Sequence, residues 1–241
     1  MAATGTALRT TEDVVHGYRA RTMDVFRAEE LVFGRFLRPG MRVLDLGCGT
    51  GRLVPHLLGG EMDVLAMDLN PVGLREVPPA PVNGAGRLLV SVGDARRLPV
   101  RDASLDAVIV AYNGIDFLAT DRERRACLEE VARVLVPGGV FALSRHNPAG
   151  MALSPRGLGS VTGARRRWEY LRRNRPFRNG YFVDYDGMPV HQARPRAVRR
   201  ELESAGFAFT GVWSTRSARG GAVARLLSAW PTYVFTRRAE V

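Results

Sequence analysis

The chain has 241 residues and a mass of 26.5 kDa, 46% hydrophobic and 24% charged, which excludes a disulfide miniprotein, an intrinsically disordered chain and a low-complexity polymer. Its 35 basic residues, all arginine, oppose 24 acidic ones for a net charge of +11. The excess is local: residues 151–200 carry 12 Arg against Glu169, Asp184 and Asp186, whereas the other 191 residues carry 23 Arg against 21 acids. The body is therefore close to neutral, and the basic segment suits either a polyanion patch or a cap over a small acidic ligand.

In chain order, residues 11–38 show apolar positions at helical spacing (Val14, Val15, Tyr18, Met23, Phe26, Leu31, Phe33, Phe36), ended by Pro39-Gly40. Met41 to Leu46 reads as a first strand running into glycines, with Arg52 to Leu58 as the helix after it. Met62 to Leu69 is a second strand, Val72 to Val77 a short helix cut off by prolines, and Leu88–Val92 and Leu105–Ala111 are Val-rich buried strands. Arg122 to Leu135 is an amphipathic helix, and Pro137-Gly138-Gly139 turns the chain into a strand over Val140–Ser144. The alternation breaks over 147–194, where Pro, Gly, aromatics and the excess Arg collect around a brief helical pattern at 165–173. It resumes with a helix, Arg196–Ala205, and strands Phe207–Ser214 and Thr232–Thr236. Seven strands interleaved with helices predict an α/β, doubly wound, mostly parallel sheet with helices on both faces. The expected organisation is an N-terminal helical cap (1–39), a Rossmann-like core (40–146 and 195–241) and an inserted lid (147–194).

Chemistry concentrates after the first three strands. Asp45-Leu46-Gly47-Cys48-Gly49-Thr50-Gly51 has the spacing GxGxG rather than GxGxxG, since Arg52 stands three residues past Gly49. Missing side chains there let a ligand approach the backbone and the following helix start. Asp68-Leu69 ends the second strand, 17 residues past Gly51, where a carboxylate can accept both hydroxyls of a ribose. Gly93-Asp94-Ala95 follows the third strand, where a carboxylate can accept from the exocyclic amine of adenine. All three lie at the carboxyl ends of strands, the ligand edge of open α/β sheets. Cys48 and Cys127, 79 residues apart, form no CxxC or Cys/His cluster, so no metal site is expected and a reducing cytoplasm fits. Cys48 reads as a small residue in a crowded turn rather than a nucleophile. Neither a signal-peptide pattern nor an apolar run near the roughly 20 residues of a membrane span is present.

With these residues in place, the sequence resembles the class I S-adenosylmethionine-dependent methyltransferases over about 40–146 and 195–241. The resemblance rests on the glycine motif, Asp68, Asp94-Ala95, the fourth-strand Ser104-Leu105-Asp106-Ala107-Val108 and the pre-strand Arg133-Val134-Leu135-Val136-Pro137-Gly138-Gly139. It implies a sheet of order 3-2-1-4-5-7-6 with the last strand antiparallel. It also implies S-adenosyl-L-methionine as cofactor, held by Asp45, Gly47, Cys48, Gly49, Gly51, Asp68, Leu69, Asp94, Ala95 and Asn113. Methyl transfer is an in-line displacement served by proximity, and a base is needed only if the acceptor must lose a proton.

Acceptor-side residues should follow the fourth and fifth strands. His146, ending a central strand, is the expected base among the four histidines; the alternative is a histidine hydrogen-bonded to hold its loop. Asp116 either shares that work or caps the helix beginning near Thr120. Asn113 contacts acceptor or cofactor. Tyr18 on the leading helix, and Trp168 and Tyr181 in the insertion, are expected to cap an organic acceptor, with core packing as the competing role. The resulting expectation is methyl transfer to oxygen or nitrogen of a small molecule, such as a secondary metabolite, by an enzyme whose acceptor is acidic if the lid arginines bind it. The alternatives are an RNA methyltransferase using the Arg-rich segment, disfavoured because that cluster is short, and a non-catalytic cofactor-binding scaffold. A lid-to-lid homodimer is compatible with the sequence.

Overall fold

A computed structural model of the chain describes residues 25–81, 84–153, 180–183, 189–214 and 228–239, together with Arg165, Trp168 and Arg172. Its main sheet has strands β1 (Arg42–Leu46), β2 (Asp63–Asp68), β3 (Leu88–Val92), β4 (Leu105–Val110), β5 (Leu135–Ser144), β8 (Phe207–Trp213) and β9 (Thr232–Arg237). They run in the order β3-β2-β1-β4-β5-β9-β8. The first five pair in parallel, and β9 lies antiparallel between β5 and β8. This is the expected order, with the last strand of the chain antiparallel. Central strands are apolar on both faces because both are covered: β1 and β4 bury nearly every residue.

Helices α1 (Arg27–Phe36), α2 (Val54–Gly59), α3 (Pro71–Leu74), α4 (Asp121–Val134), α5 (Pro148–Leu153) and α6 (Pro195–Ser204) complete the layers, with a 3-10 turn at Gly114–Phe117. On one face Val32, Phe33, Leu53 and Leu57 of α1 and α2 cover Val43, Ala107 and Ile109. On the other, Leu128, Val131, Val198 and Leu202 of α4 and α6 cover Leu44, Val108 and Phe141. Cys127, Leu128, Val131 and Val134 share the buried stripe of α4 at helical spacing. Its start is fixed by a capping box in which the Thr120 hydroxyl accepts from Glu123 N and the Glu123 carboxylate accepts from Thr120 N.

Two features depart from the sequence expectation. Strand β5 starts at Leu135, before the Pro137-Gly138-Gly139 turn. Residues on both sides of that turn pair with β4, so the turn is a bulge inside the strand, with Gly138 in the left-handed region at φ +78°. The inserted segment also holds a hairpin, β6 (Gly180–Val183) with β7 (Pro189–Gln192). At four residues each, these strands carry too little alternation to register as periodicity, and Phe182 and Val190 are their buried apolar members, packed against Phe117 and Met151. Among the described residues no helix is long and apolar enough to cross a membrane.

Tyr233 of β9 is 1% exposed, and its Oη has no hydrogen-bond partner among the described residues. A buried unsatisfied hydroxyl costs about 1–3 kcal/mol. Tyr233→Phe is therefore expected to hold or raise Tm, by roughly 2–4 °C per kcal/mol recovered; a fall of that size in a thermal melt would show that the hydroxyl has a partner.

Candidate active site

The glycine turn after β1 is shaped by backbone that residues with side chains rarely adopt. Gly47, Gly49 and Gly51 sit at φ +74°, +57° and +78°, and a Cβ on Gly51 would lie 2.9 Å from Val77 Cγ1. The N–H groups of Gly47 and Cys48 donate to Met67 O at 2.8 and 3.1 Å, tying the turn to the end of β2. Asp68 completes the tie, since its Oδ2 accepts from Gly49 N and its Oδ1 from Asn70 N, both at 2.8 Å. An ionised carboxylate has about four lone-pair sites, so two remain for hydroxyl donors. Leu69 beside it is 38% exposed, an apolar surface at the ligand edge.

Asp45 is 2% exposed, and its Oδ2 has no partner among the described residues. Burial pushes its carboxyl up to about 7, against the pull of Arg52 and with the help of Glu29 and Asp68. Arg52 is held in a two-pronged ion pair by Glu29 of α1 (2.7 Å for each bond) and lies 5.0 Å over the Phe26 ring. Cys48 is buried, and desolvation first, then Asp45 and Asp68, push its thiol well above the ordinary range. An un-ionised thiol is no nucleophile. Asp94 accepts three hydrogen bonds from the Arg96 side chain and one from Arg96 N, and these hold it below the ordinary carboxylate range against a smaller desolvation effect. Ala95 packs against the core beside it.

After β4 the backbone is strained: Tyr112 and Asn113, neither a glycine, have φ +50° and +60°. Asn113 is 3% exposed, its N–H donates to Ser144 Oγ at 2.8 Å, and its Oδ1 lacks a partner among the described residues. Three residues on, Asp116 is fully buried in an ion pair with Arg145, itself fully buried, at 2.5 Å. Its other oxygen accepts from His146 N at 2.7 Å and faces His146 Nδ1 at 3.0 Å. Desolvation would raise this carboxyl, but Arg145 and the hydrogen bond from His146 outweigh it and hold it well below the ordinary range. Arg145 also donates to Glu201 of α6 at 3.0 Å and faces His191 Nδ1 of β7 at 3.0 Å. Ring contacts of 5.3–6.4 Å run from Tyr112 to Trp230, from Trp230 to His146 and from His146 to Phe182, and Phe26 stacks on Tyr112 at 6.2 Å.

The structure thus brings Asp45, Gly47, Cys48, Gly49, Gly51, Asp68 and Leu69 to one turn, and joins His146 to Asp116 a few residues past β5 and β4. The capping role weighed for Asp116 is corrected, because Thr120 caps α4 and Asp116 is engaged by Arg145 and His146. Tyr181 meets the histidine cluster on its solvent side: it is 45% exposed, packs 5.3 Å from the His191 ring and accepts from Arg124 at 2.6 Å. Trp168 is 60% exposed, with the Arg172 guanidinium 4.9 Å over its ring. Tyr18 lies outside the described residues. Sequence reading missed Glu29, Arg52, Arg145 and His191. A lone Arg following Ser144 at a strand end was the available signal for Arg145, obscured in a chain with 35 arginines.

A family model described as a methyltransferase domain matches residues 43–139. Over 104 residues the chain is 39% identical to an uncharacterized methyltransferase of Mycobacterium bovis, covering 42% of this chain and 38% of that protein. It is 34% identical over 124 residues to a demethylmenaquinone methyltransferase of Parafrankia sp., covering 44% and 47%. The stretch that matches, residues 43–139, is similar to a methyltransferase domain. The matches span less than half the length of these curated relatives. Among solved structures, the CcbJ methyltransferase of Streptomyces caelestis matches with a TM-score of 0.67 and 17% identity, over 98% of this chain and 99% of that one. An S-adenosylmethionine-dependent methyltransferase of Methanosarcina mazei gives 0.66 and 19%, over 90% and 100%. At such identities the likeness is one of fold, and the methyltransferase fold is what it shares with them.

The cofactor that this resemblance implies, S-adenosylmethionine, carries an amino group, a ribose and an adenine, and the residues present fit it. Asp45 Oδ2 and Asn113 Oδ1, buried acceptors without donors among the described residues at the ends of two adjacent strands, match what an ammonium offers. The carboxyl pKa of Asp45 gives a test without any ligand. A folded-state value raised above the unfolded one means that the folded chain holds the extra proton, so stability is greatest below the ordinary carboxylate range. It should decline as pH rises to about 7 and level off above. Asp45→Asn is expected to flatten this contribution in urea melts across that range, and an unchanged pH slope would show that Asp45 is not the group responsible.

Proposed function

We propose that this chain is an S-adenosylmethionine-dependent methyltransferase acting on oxygen or nitrogen of a small-molecule acceptor, with His146 as the proton acceptor. The observation that carries the reading is the buried Asp116–His146 pair at the acceptor side of the sheet edge. Asp116 is held ionised, so it can only accept; the facing Nδ1 of neutral His146 must then carry the hydrogen, leaving Nε2 with its lone pair. Such an imidazole takes a proton from a hydroxyl or an amine, and the ionised Asp116 stabilises the imidazolium that forms. When bound, the cofactor supplies an electrophilic methyl group on a cationic sulfur.

The chain's own part is binding, orientation and proton removal. Asp68 would hold the ribose, Leu69 and the Gly93-Asp94-Ala95 turn the adenine, and Asp45 with Asn113 the amino group. Tyr112, Trp230 and Phe182 carry an aromatic surface from the cofactor turn to His146, suited to an organic acceptor. The small-molecule class is supported by the demethylmenaquinone methyltransferase relatives and by the near-neutral body of the chain.

Tritium from methyl-labelled cofactor should enter a metabolite extract and not total RNA; label confined to RNA would overturn the acceptor class, and label in neither would leave a cofactor-binding scaffold. His146→Ala is expected to lower that transfer by about 10²–10⁴-fold with cofactor affinity intact. Retained transfer would remove His146 as base. Because an ammonium needs Asp45 ionised, calorimetric affinity for the cofactor should weaken as pH falls below about 7 and be flat above it, and Asp45→Asn should abolish this dependence.

A further inference from the structure

Among the described residues Arg145 is the largest fully buried side chain, and it is a cation. It bridges four elements: Asp116 in the 3-10 turn, Glu201 on α6 and His191 on β7, from its own place after β5. Glu201 in turn accepts from Arg124 of α4 at 3.4 Å. Arg145 and Arg124 against Asp116 and Glu201 sum to zero charge when both histidines are neutral.

The donor and acceptor rules then fix each ring. Arginine has only donors and stays protonated, so its amino group 3.0 Å from His191 Nδ1 requires a lone pair there, and the hydrogen of neutral His191 must be on Nε2. The alternative, an Nδ1 hydrogen given to Asp116 Oδ1, meets a separation of 3.9 Å, beyond hydrogen-bond reach, and would point at an Arg145 hydrogen. Residue His191 lines a groove of about 350 Å³ between α4 and α6. His146 faces the carboxylate instead, and takes the opposite form, with hydrogen on Nδ1.

We propose that Arg145 is a positioning residue that sets the two histidines in opposite tautomers, His146 with Nε2 open to accept a proton and His191 with Nδ1 closed against the guanidinium. The proposal rests on the reading of His146 as proton acceptor. It explains why a full cation is buried beside the base: the charge keeps Asp116 ionised, and the planar fork keeps His191 from competing for the same carboxylate. An ammonium at this place would supply the charge without the fork.

Imidazole ¹⁵N spectra of the full chain test this without any acceptor. In the unsubstituted protein at neutral pH, His146 should show an unprotonated Nε2 and His191 an unprotonated Nδ1. In Arg145→Lys the His146 signature should persist and the single-tautomer signature of His191 should be lost. In Arg145→Met both should become mixtures, while cofactor affinity by calorimetry stays within about twofold. A merely structural role would lower Tm and leave the tautomers of the folded fraction unchanged, which would overturn the proposal, as would His191 protonated on Nδ1 in the unsubstituted protein. If Arg145→Met does not fold, the unsubstituted protein and Arg145→Lys decide. Failure of His146→Ala to reduce methyl transfer would instead strike the base assignment alone, because these spectra read protons and not turnover.

Discussion

The ion pair between Asp116 and Arg145 is the constraint on which the β4–β5 end of the sheet depends. Two opposite charges with no exposed surface are worth little net stability, since desolvation consumes most of their attraction, but removing either one strands the other in a dry interior. The pair therefore works as a lock of position. It pins the 3-10 turn after β4 to the residues after β5, and through Glu201 and His191 it sets α6 and the β6–β7 hairpin against both. Packing alone would tolerate small slides of these elements; a three-way guanidinium fork does not.

The two halves of the site solve different problems. On the β1–β3 side the backbone is the working surface, and side chains serve it: Asp68 staples the glycine turn to β2, and Arg52 is held by both oxygens of Glu29 over the Phe26 ring. On the β4–β5 side the side chains are the working surface. A left-handed Tyr112-Asn113 step re-aims the chain after β4, and the aromatic contacts from Phe26 to Phe182 join the two halves. Buried acceptors at Asp45 and Asn113, without donors among the described residues, mark the seam between them.

Much of this was legible from sequence where a local rule applied. Strand edges came within a residue or two for β1, β3 and β4, because parallel strands are short apolar runs bounded by turns, and the acids after β1, β2 and β3 stood at fixed places relative to those ends; the burial expected for Leu88–Val92 is corrected, since β3 is the edge strand of the sheet and largely exposed. The Thr120 cap was hidden by the nearby Asp116, equally able to cap on paper; only burial separates them. The hairpin at 180–192 escaped because two four-residue strands hold too few alternations. His191 escaped for a deeper reason: it is 45 residues from His146, and nothing along the chain says that β7 returns to the end of β5. Contacts made by topology, unlike those made by turns and caps, leave no local trace.

The place of β9 has a consequence for the order in which the protein can form. It is the last strand in sequence, yet it sits inside the sheet between β5 and β8. The approach to it closes the site from behind: Arg145 N donates to Pro231 O, and Asn147 donates to Ala229 O and Ser228 O. A chain emerging from the ribosome can pair β1 through β5 and build the glycine turn early. Until residues 228–237 follow, β5 is an open edge and Arg145 has no roof. The glycine-turn half of the site is thus complete once β5 has been made, and the half around Asp116 and Arg145 waits for residues 228–237.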